Sequence, residues 1–135
     1  MTTYVVVLNW NGWKDTVECL DSLFCSEGAD FVAIVCDNAS ADNSLSELNK
    51  WAASRFSHHQ YKNLTRPQVE AGVELVGECQ LVLIDNAANL GFAGGNNVGV
   101  HLAMNQANCK YIWLLNNDTT IEPSALACVV RRMQE

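Results

Sequence analysis

Asp118 is a lone acid at the tip of an apolar run, in "YIWLLNNDTTIEP" (Tyr111 to Pro123). A hard cation such as Mg²⁺ or Mn²⁺ takes oxygen ligands and often only one or two protein carboxylates, with phosphates and water completing the shell. Asp118 fits that demand, with Asn116 near it as a neutral contact to a sugar or ribose. The same residues also suit a plain turn toward Pro123, helped by Thr119 and Thr120. Asp37 poses the same choice in "VCDNASADNS" (Val35 to Ser44). Its carboxylate could accept from the imide N–H of a pyrimidine base or from a ribose hydroxyl, or could close an Asx-turn. "NLGFAGGNNVG" (Asn89 to Gly99) places four glycines, Gly91, Gly94, Gly95 and Gly99, in eleven residues. Such a segment lets backbone approach a ligand and aims a helix N-terminus at an anion, or it serves tight helix–sheet packing.

Chemistry of this kind needs elements to present it, and the pattern supplies them. "TYVVVL" (Thr3 to Leu8), "FVAIVC" (Phe31 to Cys36), "QLVLID" (Gln80 to Asp85) and "YIWLL" (Tyr111 to Leu115) read as strands buried on both faces. Helical spacing follows each. One helix is capped by Asp15 or Thr16, a second opens at Asp42 to Ser44, a third runs near Gly95 to Gln106 and a fourth begins at Pro123. Residues 57–78 break the alternation and read as an irregular or mobile insertion. Repeated strand–helix alternation predicts an α/β fold, a mostly parallel sheet with helices on both faces. Ligands of such sheets bind beyond the strand carboxyl ends, at the point where strand order reverses. Asn9 to Gly12, Asp37 to Ser40, Asn86 to Asn97 and Asn116 to Asp118 all fall on that edge.

Bulk properties narrow the classes. The chain has 135 residues and a formal net charge of −7, which speaks against a nucleic-acid surface. No segment approaches the ~20 apolar residues of a membrane span, and no secretory leader is evident. Six cysteines without a C-x-x-C read as reduced thiols of a cytoplasmic protein. Neither a P-loop nor a nucleophile elbow occurs. A G-x-G-x-x-G fingerprint is also missing, which leaves a nicotinamide-binding Rossmann domain as a weaker alternative.

Taken in order, "NWNG", "VCDNASADNS", "NLGFAGGNNVG" and "WLLNNDTTIEP" resemble the motifs of family 2 glycosyltransferases, most closely the bacterial rhamnosyltransferase-like branch. The resemblance implies a GT-A fold with a Rossmann-like nucleotide-binding half and inverting transfer from a nucleoside diphosphate sugar, with dTDP-rhamnose as the leading donor. Asn9, Asn11 and Gly12 would then border the base, and Asp37 with Asn38 would meet base or ribose. Asn89, Gly91, Gly94, Gly95, Asn96 and Asn97 would lie along the nucleotide and its sugar. Asn116, Asn117 and Asp118 would occupy the family's D-x-D position, with Asp118 holding Mg²⁺ or Mn²⁺. Two amides where relatives carry acid lower the local negative charge. Family members continue past this motif into an acceptor-binding half, which would meet a glycan or lipid-linked acceptor and carry the general base. The chain is therefore expected to be a donor-binding part, whether a fragment, a truncated gene product or one half of a split system, cytoplasmic and, in a full-length protein, at the inner face of the membrane. Its uncovered apolar surface would favour self-association. A non-catalytic binding module of the same fold is the competing class.

Overall fold

The computed structural model describes residues 1–135. Five strands, β1 (Thr2–Asn9), β2 (Phe31–Asp37), β3 (Tyr61–Thr65), β4 (Leu81–Asp85) and β5 (Cys109–Asn116), alternate with five helices, α1 (Trp13–Leu23), α2 (Ser44–Arg55), α3 (Arg66–Ala71), α4 (Gly91–Met104) and α5 (Ala125–Gln134). All pairings are parallel and the strand order is β3-β4-β2-β1-β5. The expected α/β class and parallel sheet are therefore found.

Alternate strand residues fill two separate cores, as the period of two requires. Val5, Val7, Ala33, Val35 and Leu83 pack with Cys19, Leu20 and Leu23 of α1 and with Leu48 and Ala52 of α2. Tyr4, Val6, Ile34, Cys36, Val82 and Ile84 pack on the opposite face, with Val69 of α3 and Val98, Leu102 and Ala103 of α4. The near-continuous apolar runs of β1, β2 and β4 follow from being covered twice.

Three expectations need correction. The stretch expected to be an irregular insertion holds β3 and α3. β3 is the sheet's outer strand, and "YKNLT" buries only Leu64, so its pattern carries little apolar signal. α3 announces itself through a capping box instead, Thr65 accepting from the Gln68 amide while the Gln68 side chain accepts from Thr65 N–H. The expected glycine-rich loop is helical from Gly91 onward. Finally, α1 starts at Trp13, ahead of the expected Asp15 or Thr16 cap; Thr16 lies inside the first turn with its hydroxyl turned to the sheet.

Strand order reverses at β1. The chain leaves β1 toward β2 and β4, then returns to place β5 on the other side. The carboxyl ends of β1 and β5 thus flank the crevice where a ligand of such a sheet is expected.

Candidate active site

At that crevice Leu8, Trp10, Phe92, Asn96, Leu114, Leu115 and the run Asn116 to Asp118 line a cavity of about 340 Å³. Trp10 and Phe92 stand 56% and 62% exposed, which is unusual for large aromatic side chains without a partner to meet. Asp118 is exposed at the mouth. Neither of the two helix starts that flank the crevice has a side-chain cap from its N-cap residue, Gly12 at α1 or Leu90 at α4. The positive ends of both dipoles therefore face the rim. A larger cavity of about 770 Å³ lies at the strands' amino ends, lined by Thr2, Tyr4, Phe31, Gln80 and Asn108 among others. It sits on the edge opposite to Asp118.

Behind the rim lies a buried polar layer. Asn9 Nδ2 donates to Asp37 Oδ1 at 2.8 Å, and Thr16 Oγ1 donates to Asn9 Oδ1 at 2.6 Å. Asp37 also accepts from the Ser40 hydroxyl at 2.6 Å and the Ser40 amide at 3.0 Å. Both of its oxygens are thus engaged by the protein, and the residue is only 1% exposed. Asn11 Oδ1 accepts from the amides of Ala41 and Asp42, tying the loop after β1 to the loop after β2. Asn38 Nδ2 donates to the Gly91 carbonyl at 2.9 Å, and Asn86 Nδ2 donates to Asn38 Oδ1 at 2.8 Å, which fastens the start of α4. Asn89 Oδ1 accepts from Gly91 N–H at 3.0 Å, next to the left-handed turn that Gly91 makes at φ 75°.

The backbone bends alike behind three strands. Asn11, Ala39 and Ala87, each two residues past a strand end, hold left-handed conformations at φ 50°, 57° and 57°. For a side chain other than glycine this is strained, and such strain concentrates where a rim must be shaped for a purpose.

The sequence-derived residues divide accordingly. Asn116, Asn117, Asp118 and Asn96 meet in the crevice. Asn9, Asp37 and Asn38 form the buried layer beneath. Gly12 and Gly95 are places of close approach: a methyl group at Gly95 would lie 2.6 Å from Asn38 Oδ1 and from Leu8 Cδ1, and one at Gly12 would lie 3.1 Å from Asn117 Nδ2. Gly94 and Asn97, expected along the nucleotide, line a different cleft of about 280 Å³ with Arg66, Glu70 and His101. In a helix, Gly94 and Asn97 share one face by their three-residue spacing, and it is not the face that carries Asn96 into the crevice. Thr16 was expected only as a helix cap, and Trp10, Ser40 and Phe92 only as members of the polar strand-end segments. Ser40, three residues beyond Asp37, was the one with a local signal, that of an Asx-type turn.

A bound divalent cation is the group such a fold implies. Nowhere do three His, Cys, Asp or Glu side chains converge to hold one unaided. Asp118 is the one acid lining the crevice, with Asn116 and Asn117 beside it, side-chain chemistry that fits a cation whose remaining ligands are diphosphate and water.

A doubly covered parallel sheet with a polar crevice at its switch point defines a doubly wound α/β domain, which binds ligands at that crevice as a rule. The chain belongs to Glycosyl transferase family 2, whose pattern matches residues 4–135. Similar solved structures include S. aureus TarS 1-349, at 20% identity and a TM-score of 0.67 over 99% of this chain and 32% of that one. The same protein in complex with UDP matches at 18% identity and a TM-score of 0.66, again over 99% and 32%. Its complex with UDP-GlcNAc matches at 19% identity and a TM-score of 0.65, over 99% and 31%. The chain spans about a third of the length of these structures. No curated protein matches it. The family match displaces the nicotinamide alternative.

Proposed function

We propose that this chain binds the donor of an inverting glycosyl transfer, a nucleoside diphosphate sugar with a pyrimidine base. The observation that carries the reading is the crevice between β1 and β5, where Asp118 stands at the mouth of an aromatic-walled cavity. S. aureus TarS 1-349, of the same fold, is solved in complex with UDP and with UDP-GlcNAc, which supports the choice of donor class. Among such donors, dTDP-rhamnose is the one suggested by the branch that the sequence motifs resemble.

In this reading the rim loops 9–12 and 37–42 border the base, and Asp37 holds them together from below through Asn9 and Ser40. The helix starts at Gly12 and Gly91 face the diphosphate with their positive ends. Trp10 and Phe92 offer apolar walls to a sugar ring and exclude water from it. Asp118 would hold a divalent cation with Asn116 and Asn117 at its side. Bound there, the cation would act as a Lewis acid on the departing diphosphate. Deprotonation of an acceptor hydroxyl, on a glycan or lipid-linked acceptor, falls to a general base outside these residues. A cytosolic setting accords with this reading, because all six cysteines are free thiols. No helix is long and apolar enough to cross a membrane.

Calorimetric titration with UDP and with dTDP, each with Mn²⁺ and with EDTA, tests the proposal. At least one nucleotide should bind, more tightly with metal, and Asp118→Asn should remove the metal-dependent part while leaving the protein folded. Lack of binding by both nucleotides to folded protein would refute it. The single carboxylate of the crevice favours a second reading, a non-catalytic nucleotide-binding module. Binding that is equal with and without metal, and indifferent to Asp118→Asn, would select that one.

A further inference from the structure

The segment that carries Asp118 has no regular secondary structure of its own. It leaves β5 at Asn116 and reaches α5 only at Ala125. It is nevertheless tied along its length to one polar face of α1 and to the loop after it. Asn117 Nδ2 donates to Thr16 Oγ1 at 3.1 Å, Cys19 Sγ donates to the Asn116 carbonyl at 3.7 Å, and Ile121 N–H donates to Ser22 Oγ at 3.1 Å. Just past the helix, Glu27 N–H donates to the Pro123 carbonyl at 2.9 Å. Thr16, Cys19 and Ser22 recur every three residues, which puts them on the same side of the helix.

Thr16 is the member with a consequence for chemistry. It is fully buried, and its one hydroxyl hydrogen is given to Asn9 Oδ1 at 2.6 Å. Only lone pairs are left for Asn117, so the Asn117 amide must turn its NH₂ group inward. Its carbonyl oxygen is then the end left free of Thr16, in a residue that lines the crevice with Asp118. On the far side Asn9 donates to Asp37 at 2.8 Å, so the chain Asn117→Thr16→Asn9→Asp37 runs in one direction and ends on a carboxylate. Chains of this kind polarise along their length and resist reversal. Gly12 leaves the space that the Asn117 amide occupies, since a methyl there would approach Asn117 Nδ2 to 3.1 Å.

We propose that Thr16 is a positioning residue that orients Asn117 so as to present its amide oxygen beside Asp118, supplying a neutral hard donor next to the crevice's one acid. The inference rests on the donor-binding reading for its purpose, but the orientation of Asn117 can be tested without any ligand.

Thr16→Val keeps the side-chain shape and removes the hydroxyl, and Thr16→Ser restores it. In ligand-free protein, the Asn117 side-chain amide should lose its distinct ¹H–¹⁵N position in Thr16→Val. Backbone amides of residues 117–121 should exchange about tenfold faster, as the loss of one buried hydrogen bond implies. Calorimetry with UDP should show about a tenfold weaker affinity in Mn²⁺, the usual effect of removing a group that orients a metal ligand. UDP affinity in EDTA should be unchanged, and Thr16→Ser should recover both properties. A uniform loss with and without metal would mark a merely structural role and overturn the proposal. So would a folded Thr16→Val protein with unaltered Asn117 signals and exchange, whether or not UDP binds. Absence of metal-dependent binding of both UDP and dTDP in the unaltered protein would instead count against the donor-binding reading. Should Thr16→Val fail to fold, Thr16→Ala removes the same hydroxyl with less bulk and should give the same split.

Discussion

Asp37 shows how one residue type serves two ends. From sequence its carboxylate is equally suited to a ligand or to a turn; in the fold it accepts from Asn9 Nδ2, Ser40 Oγ and Ser40 N–H. Removing it would leave the buried Asn9 amide and the Ser40 amide without their acceptor. Hydrogen bonds to a charged group contribute about 1.5–3 kcal/mol, and orphaned partners add to the loss. Asp37→Ala should therefore lower unfolding free energy by about 3 kcal/mol, read from a urea transition, even with no nucleotide present. A loss below ~1 kcal/mol would show that the carboxylate does not support the rim, and would return it to the ligand. Asp118 is the contrasting case. It is exposed, so its substitution should act on metal-dependent binding and leave the urea midpoint near its original value.

At the scale of elements, α4 opposes two rules. Four glycines in a fourteen-residue helix lower its intrinsic propensity, and replacing an interior glycine with alanine ordinarily stabilises by about 1 kcal/mol. Gly99 should behave oppositely. A methyl there would lie 2.7 Å from Val6 Cγ1, 2.8 Å from Cys36 Sγ and 3.2 Å from Ile34 Cγ2, all on the packed sheet surface. Overpacking of this kind costs about 1–3 kcal/mol, which outweighs the propensity gain. Gly99→Ala should thus lower the melting temperature; a rise would mean that α4 rides higher on the sheet than described. The same packing explains what the sequence reading missed. Glycine clusters suggest a loop when local propensity is weighed alone, whereas here Gly95 and Gly99 let the helix lie on Leu8, Asn38, Val6 and Cys36. β3 was missed for a different reason. An outer strand has one face and one edge to bury, so "YKNLT" satisfies its fold with Leu64 alone and shows no alternation to detect.

At the scale of the molecule, two apolar layers enclose the central strands, and their thiols record it. Burial pushes Cys36 up from 9.0 to about 12. Cys19 rises to about 11, through burial first, with the nearby charge of Asp118 adding to it and a hydrogen bond to Thr119 opposing. In the unfolded chain both would ionise near 9.0, while the folded protein keeps them neutral. Their contribution to stability is therefore complete below pH 9, and it is lost as pH rises toward 11 and 12. The urea midpoint should hold steady to about pH 8 and fall above 9, and Cys36→Ala should flatten that fall. A midpoint unchanged to pH 10 would show that the layers do not exclude solvent from these thiols. β5 forms the other outer edge of the sheet, with Leu114 exposed beside it. That edge is where the self-association expected from the sequence would occur.

Much was decided by sequence alone. β-branched runs long enough for doubly buried strands, separated by helical spacing, dictate a parallel α/β sheet, because only helices on both faces can cover such strands. The polar strand ends in "NWNG", "DNAS" and "NND" marked the edge where a ligand would lie, since each follows its strand directly. Tertiary structure decided which of those polar groups face a ligand and which face each other. Asn9, Asp37 and Thr16 come from three elements, and whether a side chain is a partner or a support depends on what the other two leave unsatisfied. No spacing along the chain carries that information, because hydrogen bonds between residues 7, 28 or 101 positions apart exist only once the sheet has set its strand order.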